Sequence, residues 1–158
     1  MDNVTSFRIR PVVLEDLDQL KGLMHRYIVD FYKGKTPEGS KLEDHIKHLL
    51  SSEEAGTQFV AETKNGRLAG FATLYFSFST TRLQKIAILN DLFVDAEFRG
   101  AGLGEELFLH VLEYTKKEGY AYMTWQTAVD NTSAQALYKK MGGKNINSEW
   151  IHYEIEHN

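Results

Sequence analysis

Hydrophobic and polar residues alternate with two periods along the chain, and the change of period outlines the order of the elements. Near the N-terminus Phe7 and Ile9 alternate with Arg8 and Arg10, which predicts a short first strand. From Leu14 to about Tyr32, apolar residues recur at steps of three and four, which is typical of an amphipathic helix. The recurring positions are Leu17, Leu20, Met24, Tyr27, Ile28 and Phe31.

A second helix and a hairpin follow. Lys41 to Ser51 places Leu42, Ile46, Leu49 and Leu50 on one side of a predicted helix. Two strands, Thr57 to Glu62 and Arg67 to Phe78, flank Asn65-Gly66, a pair that readily supplies the positive φ angles of a tight turn. We therefore expect these two strands to pair as a hairpin.

Strands and helices alternate in the second half of the chain. The pattern predicts a strand over Ile86 to Val94, a helix over Leu103 to Lys117, a strand over Ala121 to Thr127, a helix over Ser133 to Met141 and a last strand over Trp150 to Ile155. The order favours an α/β fold with a mixed, mostly antiparallel sheet flanked by about four helices.

Composition narrows the class of protein. The 158 residues are 42% hydrophobic and 25% charged and hold no linker-like run, so we expect one domain over 1–158. A formal charge of -4 argues against nucleic acid as a partner. The absence of cysteine excludes disulfides, a thiolate nucleophile and thiolate metal ligands. Asp2, Arg8 and Arg10 argue against a secretory signal and the uncharged stretch from Leu68 to Thr81 is too short to span a membrane, so we expect a cytoplasmic protein.

A glycine-rich turn joins the strand ending at Val94 to the helix starting at Leu103. Gly100, Gly102 and Gly104 would let a diphosphate approach the unpaired N–H groups of the helix N-terminus. The spacing Arg-x-x-Gly-x-Gly matches neither a Walker loop nor a dinucleotide-binding fingerprint. The alternative is that the glycines only make a tight turn.

A second motif, Asn131-x-x-Ala134-x-x-Leu137-Tyr138, opens the next helix. Small Ala134 would allow a ligand to lie close to the backbone, and the Tyr138 phenol lies one turn further on. Taken singly, Asn131 is also explained as a helix cap and Tyr138 as a residue at the edge of an amphipathic face.

Together the two motifs resemble the GNAT superfamily of acetyl-CoA-dependent N-acetyltransferases, and the resemblance covers essentially the whole chain. Within it, the chain resembles the branch of spermidine/spermine and thialysine acetyltransferases. The segments that carry this second resemblance are Gly70-Phe71-Ala72, Tyr75-Phe76, Leu89-Asn90-Asp91-Leu92-Phe93-Val94 and Trp150.

The resemblance implies acetyl-CoA as co-substrate, held between splayed central strands. The pyrophosphate would lie on the turn and the pantetheine between the Phe93 and Trp125 strands, with an N–H near Phe93 or Val94 bonded to the thioester carbonyl. The implied acetyl-CoA-binding residues are Leu92, Phe93, Val94, Arg99, Gly100, Ala101, Gly102, Leu103, Gly104, Asn131, Ala134 and Tyr138.

The resemblance also implies direct transfer in a ternary complex, with Tyr138 protonating the departing thiolate. The related branch usually has an acidic residue where this chain has Asn90. Asn90 could orient a water that accepts the proton of the amine, and Asp91 is a second catalytic candidate. Strand alternation predicts that these neighbours face opposite sides. A structural role for Asp91, as an acceptor for backbone groups, is the alternative.

The acceptor site is expected beside the first helix. Tyr27, Phe31 and Glu38, with Asn90, combine aromatic faces and polar groups that suit an ammonium. Taken singly, Tyr27 and Phe31 are better explained as core positions of the amphipathic helix and Glu38 as a solvated loop residue. No third ligand accompanies His45 and His48, so we expect no metal.

The sequence thus predicts acetylation of a primary amine on a small molecule, such as a polyamine, an amino acid or a thialysine-like compound. Acetylation of a protein or peptide amine is the first alternative, and a non-catalytic acetyl-CoA sensor is the second. By analogy with the same branch, we expect a homodimer whose interface includes Trp150 and Tyr153.

Overall fold

The computed structural model describes residues 6–157. Within this range the strands are β1 (Phe7–Pro11), β2 (Gly56–Thr63), β3 (Leu68–Ser79), β4 (Gln84–Val94) and β5 (Met123–Thr124). The α-helices are α1 (Leu17–Arg26), α2 (Lys41–Leu50), α3 (Leu103–Lys117) and α4 (Thr132–Lys140). The strands form one sheet in chain order, antiparallel except for the parallel pair β4 and β5. The predicted α/β class, with a mixed sheet and four helices, is confirmed.

The chain divides into two compact units, Met1–Trp125 and Gln126–Asn158. The first contains the sheet and α1 to α3, and the second contains α4. The expectation of one domain over 1–158 therefore stays a prediction. Asp2, one of the charged residues that argue against a secretory signal, lies outside the described residues.

Helices cover both faces of the sheet because successive strand residues point to opposite sides. Val60 pairs with Phe71 across β2 and β3, and both are buried in a core with Leu20 and Leu23 of α1. Phe59, one position earlier, turns to the other face, where its ring lies 5.1 Å from that of Tyr114 in α3. The predicted acceptor site lies on the face of the sheet that α1 covers.

The first predicted helix is continuous but changes its winding twice. A 3-10 turn over Leu14–Asp16 leads into α1, and a π-helical turn over Tyr27–Phe31 follows. The turn closes with the N–H of Tyr32 donating to the carbonyl of Tyr27 at 3.1 Å. Positive φ at Lys33 then ends the helical run.

Two strand predictions need correction. The strand expected over Ala121 to Thr127 is reduced to Met123–Thr124, which pairs only with Ala87 and Ile88. The reason is a β-bulge two residues further along β4, because a bulge bends its strand away from the neighbour.

The strand expected over Trp150 to Ile155 is absent. Ile151, Tyr153 and Ile155 alternate as predicted but are 79%, 90% and 83% exposed. An extended segment becomes a strand only when its backbone groups find a ladder partner, and the described part of its unit contains no other strand.

Candidate active site

The glycine turn has the geometry that an anionic ligand needs. Gly100 and Gly102 have φ of 88° and 80°, and a Cβ at either position would meet no atom within 4 Å. The turn is therefore open, and positive φ favours glycine there. Gly102 is the N-cap of α3 and offers no side chain to its first N–H groups. These groups are left to bind a ligand such as a diphosphate.

Arg99 ties this turn to the end of β4. Its Nε donates to the carbonyl of Val94 at 2.9 Å, and its guanidinium lies 5.5 Å from the centre of the Phe93 ring. The Arg99 side chain thus positions the turn, and its backbone leads directly into the glycines. Of the other predicted residues here, Ala101 is exposed and Leu103 is buried.

β4 presents an unpaired edge just before the turn. Its ladder with β5 ends at Ile88, so 89–94 have no partner strand on that side among the residues that the structure describes. The N–H of Asp95 donates to Ala69 on the β3 side at 2.8 Å. Backbone N–H groups alternate in direction along a strand. The N–H of Phe93 therefore also points to β3, while the N–H groups of Leu92 and Val94 point to the open edge. The gap between β4 and β5 matches the splayed strands expected from the sequence.

A β-bulge brings Asn90 and Asp91 together. Thr73 pairs with Asp91 and Leu74 pairs with Leu89, so Asn90 is the extra residue of β4. The Asn90 side-chain amide donates to the Asp91 carboxylate at 3.0 Å. The expectation that the two side chains face opposite sides is therefore wrong, because the bulge interrupts the alternation on which it was based.

Asp91 is a buried carboxylate that has no cationic partner in the described part of the chain. The described residues contain three buried acids, and the other two form ion pairs: Asp16 with Arg10, and Asp95 with Arg26 and Arg67. No such pair involves Asp91 within 6–157, although it is only 9% exposed. A buried charge is stabilised by a partner of opposite sign, so Asp91 is suited to bind a cation supplied from outside.

Neutral phenols surround this carboxylate. Burial, followed by the charge of Asp91, raises the pKa of Tyr27 well above its usual value. The same two causes raise the pKa of Tyr75 to about 12. Both phenols therefore stay protonated at any ordinary pH. The Tyr75 hydroxyl also lies 2.8 Å from Nε2 of His45 on α2.

Aromatic rings cluster around Tyr27, whose phenol interacts with Asp91. The ring of Tyr27 lies 6.0 Å from Phe31, 5.0 Å from Tyr32 and 5.6 Å from Phe93. Three of the predicted acceptor residues, Tyr27, Phe31 and Asn90, thus belong to one region with Asp91, the second catalytic candidate. Glu38 is exposed and makes no side-chain hydrogen bond or ion pair within the described chain.

Sequence reasoning did not assign Tyr75 and His45 to the site. Tyr75 follows Thr73 by two positions on β3 and so shares its face, which is the face of Asp91. That relationship depends on which residues pair between β3 and β4. The only local signal was the apolar and polar alternation of the strand itself.

The predicted residues of the second unit lie at the start of α4. Asn131 is its N-cap, and its Oδ1 accepts from the N–H of Ala134 at 3.2 Å. Gln135 holds the preceding turn by donating to the carbonyls of Ala128 and Val129 at 3.0 Å. Tyr138 is half-buried one turn further along. The capping explanation of Asn131 is therefore correct for its side-chain oxygen.

Neither a metal site nor a membrane span is found in residues 6–157. No three His, Cys, Asp or Glu side chains of that range are grouped to hold an ion. No helix formed by the same residues has the length and apolar character needed to cross a bilayer. The expectation of no metal remains a prediction.

Comparison with known proteins identifies the family. The model of the acetyltransferase (GNAT) family matches residues 20–143. An uncharacterised N-acetyltransferase of Bacillus subtilis is 29% identical over 151 residues, covering 92% of this chain and 94% of the relative. One from Methanocaldococcus jannaschii is also 29% identical, covering 94% of this chain but only 66% of the relative. A crystal structure described as "a probable acetyltransferase" has a TM-score of 0.84 and 29% identity, covering 96% of this chain and 98% of that chain.

Two relatives with named acceptors match about half of the chain. Thialysine N-epsilon-acetyltransferase of Bos taurus is 30% identical over 79 residues, 50% of this chain and 46% of the relative. Ribosomal protein bS18-alanine N-acetyltransferase of Escherichia coli K12 is 31% identical over 80 residues, 51% of this chain and 50% of the relative. These matches do not favour the polyamine and thialysine branch over the branch that modifies proteins.

The glycine turn, the open edge of β4 and the family match agree with one another. The chain belongs to the GNAT family of acetyltransferases and is an N-acetyltransferase, and this family implies acetyl-CoA as its co-substrate.

Proposed function

We propose that this protein transfers the acetyl group of acetyl-CoA directly to a primary amine of a small molecule, and that the amine binds at Asp91. The observation that carries the proposal is the buried Asp91 carboxylate, which has no cationic partner among the described residues and lies beside the neutral phenols of Tyr27 and Tyr75. An alkyl ammonium supplies the missing charge, and the rings add favourable cation–π contacts.

Acetyl-CoA supplies an activated acetyl thioester. The N–H groups at the start of α3 and the open glycine turn would hold its diphosphate. The N–H groups of Leu92 and Val94 are suited to bond the thioester carbonyl, since both point to the open edge of β4. These chain groups bind and orient the co-substrate without changing their own protonation.

Two side chains would move protons. The Asp91 carboxylate would accept the proton that the ammonium must lose before its nitrogen can attack, and Asn90 would hold that carboxylate in place through its 3.0 Å hydrogen bond. The Tyr138 phenol would give its proton to the departing thiolate, a role that rests on the family resemblance. The chain has no cysteine, which supports transfer without an acyl-enzyme.

Release of free CoA thiol across a panel of amines tests the function. The panel contains spermidine, a lysine analogue, single amino acids and a basic peptide, and the protein itself adds no thiol background. Turnover of a small amine supports the proposal. Turnover of the peptide alone would instead favour protein acetylation, the activity named for the E. coli relative. Binding of acetyl-CoA with no turnover would indicate a sensor.

Homodimerisation and a cytoplasmic location also remain predictions. The exposed apolar residues Trp150, Ile151 and Tyr153 support the dimer, because a surface of this kind is often covered by a partner. Light scattering at several protein concentrations would measure the mass directly.

A further inference from the structure

Two aromatic side chains extend outward from the Asp91 region into solvent. Phe31 is 52% exposed and Tyr32 is 63% exposed. Both rings contact Tyr27, at 6.0 Å in a stacked arrangement and at 5.0 Å edge to face, and Phe31 also lies 6.2 Å from Phe93. The two exposed rings, here called the aromatic platform, thus continue the lining of the site.

The backbone of the π-helical turn builds this platform. The turn closes from the Tyr32 N–H to the Tyr27 carbonyl, five residues apart rather than four. The wider turn brings both Phe31 and Tyr32 against Tyr27, whereas in an α-helix Asp30 and Phe31, three and four positions along, would lie beside it. Such turns are unusual and frequently occur at functional sites.

The platform is aromatic and carries no negative charge. Asp91, the buried carboxylate that interacts with Tyr27, lies at its inner end. Asp30 and Glu38 are exposed, and an exposed carboxylate holds an ammonium only weakly because water and salt screen the pair. A second ammonium group on the acceptor would therefore lie away from the inner carboxylate. It would contact ring faces that are exposed to water, where cation–π attraction is weak. An aromatic group there would stack on the rings and remove apolar surface from water.

We propose that the acceptor is a monoamine that carries an aromatic group, with its nitrogen at Asp91 and its ring on the platform of Phe31 and Tyr32. This inference rests on the proposed function, which requires only that some small primary amine binds at Asp91. It adds the chemical class of that amine and excludes a preference for polyamines.

The test compares three primary amines at saturating acetyl-CoA: 2-phenylethylamine, n-butylamine and 1,4-diaminobutane. The expected kcat/KM is at least about tenfold higher for 2-phenylethylamine than for n-butylamine, and lowest for the diamine. In Phe31→Ala and Tyr32→Ala the ratio of 2-phenylethylamine to n-butylamine should fall toward one. A ratio is unaffected by the fraction of protein that is folded.

Phe78→Ala is the matched control, because Phe78 is 74% exposed at the far end of β3. It should keep the wild-type ratio. Equal turnover of the three amines, or a preference for the diamine, overturns this inference and leaves the proposed function standing. If none of these amines and no amine of the wider panel is acetylated, the proposed function fails and this inference fails with it.

Discussion

The Asn90 side chain donates a 3.0 Å hydrogen bond to the Asp91 carboxylate, although the two residues are neighbours on one strand. In a regular strand their side chains would point to opposite faces. The bulge in β4 removes that separation and places a carboxylate and its amide partner together. The same bulge bends β4 away from β5, so one irregularity accounts for both the proposed acceptor region and the open edge.

Gly102→Ala is expected to weaken acetyl-CoA binding. Positive φ at this position strains any residue with a Cβ, so the turn and its N–H groups would shift. We expect Kd to rise about tenfold, or about 1.4 kcal/mol, by calorimetry. Gly66→Ala is the matched control, because Gly66 has φ of 81° in the open β2–β3 turn. It should cost comparable stability and leave Kd unchanged. Equal Kd in both variants would argue against the diphosphate site.

Tyr138→Phe is expected to lower kcat by roughly 100-fold, the ordinary size of a general-acid contribution. The acetyl-CoA Kd should change little, because the ring is kept. Tyr153→Phe, on an exposed residue of the same unit, is the control and should keep the wild-type kcat. An unchanged kcat in Tyr138→Phe would remove the general-acid role.

Tyr75→Phe is expected to raise KM for the amine several-fold, with a smaller change in kcat. The pKa of Tyr75 lies at about 12, so its hydroxyl is present throughout the working range and remains a hydrogen-bonding group beside Asp91. Tyr122→Phe, on a ring that packs under Arg82, is the control. Steady-state kinetics at pH 8 separates the two constants. A change in kcat alone would contradict a role in amine binding.

Asp16→Asn is expected to destabilise the fold by about 2 kcal/mol at neutral pH. Arg10 donates to both Asp16 oxygens, at 2.7 and 2.8 Å, and this pairing lowers the pKa of the carboxyl. The stabilisation is therefore complete above the unfolded pKa of about 4 and is lost as pH falls through the lower folded value. Denaturant unfolding of both proteins should give a difference in the free energy of unfolding that shrinks steadily as pH falls below about 4. A difference that stays constant below about pH 4 would show that the charge is not responsible.

Local sequence signals predicted the elements that depend on neighbouring residues. The Asn65-Gly66 turn was found because its preference is local, and the hairpin is confirmed with Gly66 at positive φ. The helix from Leu103 to Lys117 agrees with the structure for the same reason, since its apolar period lies within the segment.

Features that depend on pairing could not be predicted in this way. The bulge at Asn90 is a property of the register between β3 and β4, and no residue near position 90 predicts it. The proximity of Tyr75 to Asp91 follows from that register, and His45 of α2 reaches this region only through its contact with the Tyr75 hydroxyl. The expected strand at 150–155 failed because alternation predicts a strand only where a partner strand is available.

The most direct test of the account is acetyl transfer by Asp91→Asn beside the wild-type protein. The substitution keeps the shape of the side chain and removes its charge and its proton-accepting power. We expect kcat/KM for the best amine to fall by at least about 100-fold while the acetyl-CoA Kd is unchanged. Asp18→Asn, on an exposed carboxylate of α1, should behave as wild type. Wild-type kcat/KM in Asp91→Asn would contradict the claim that Asp91 receives the amine.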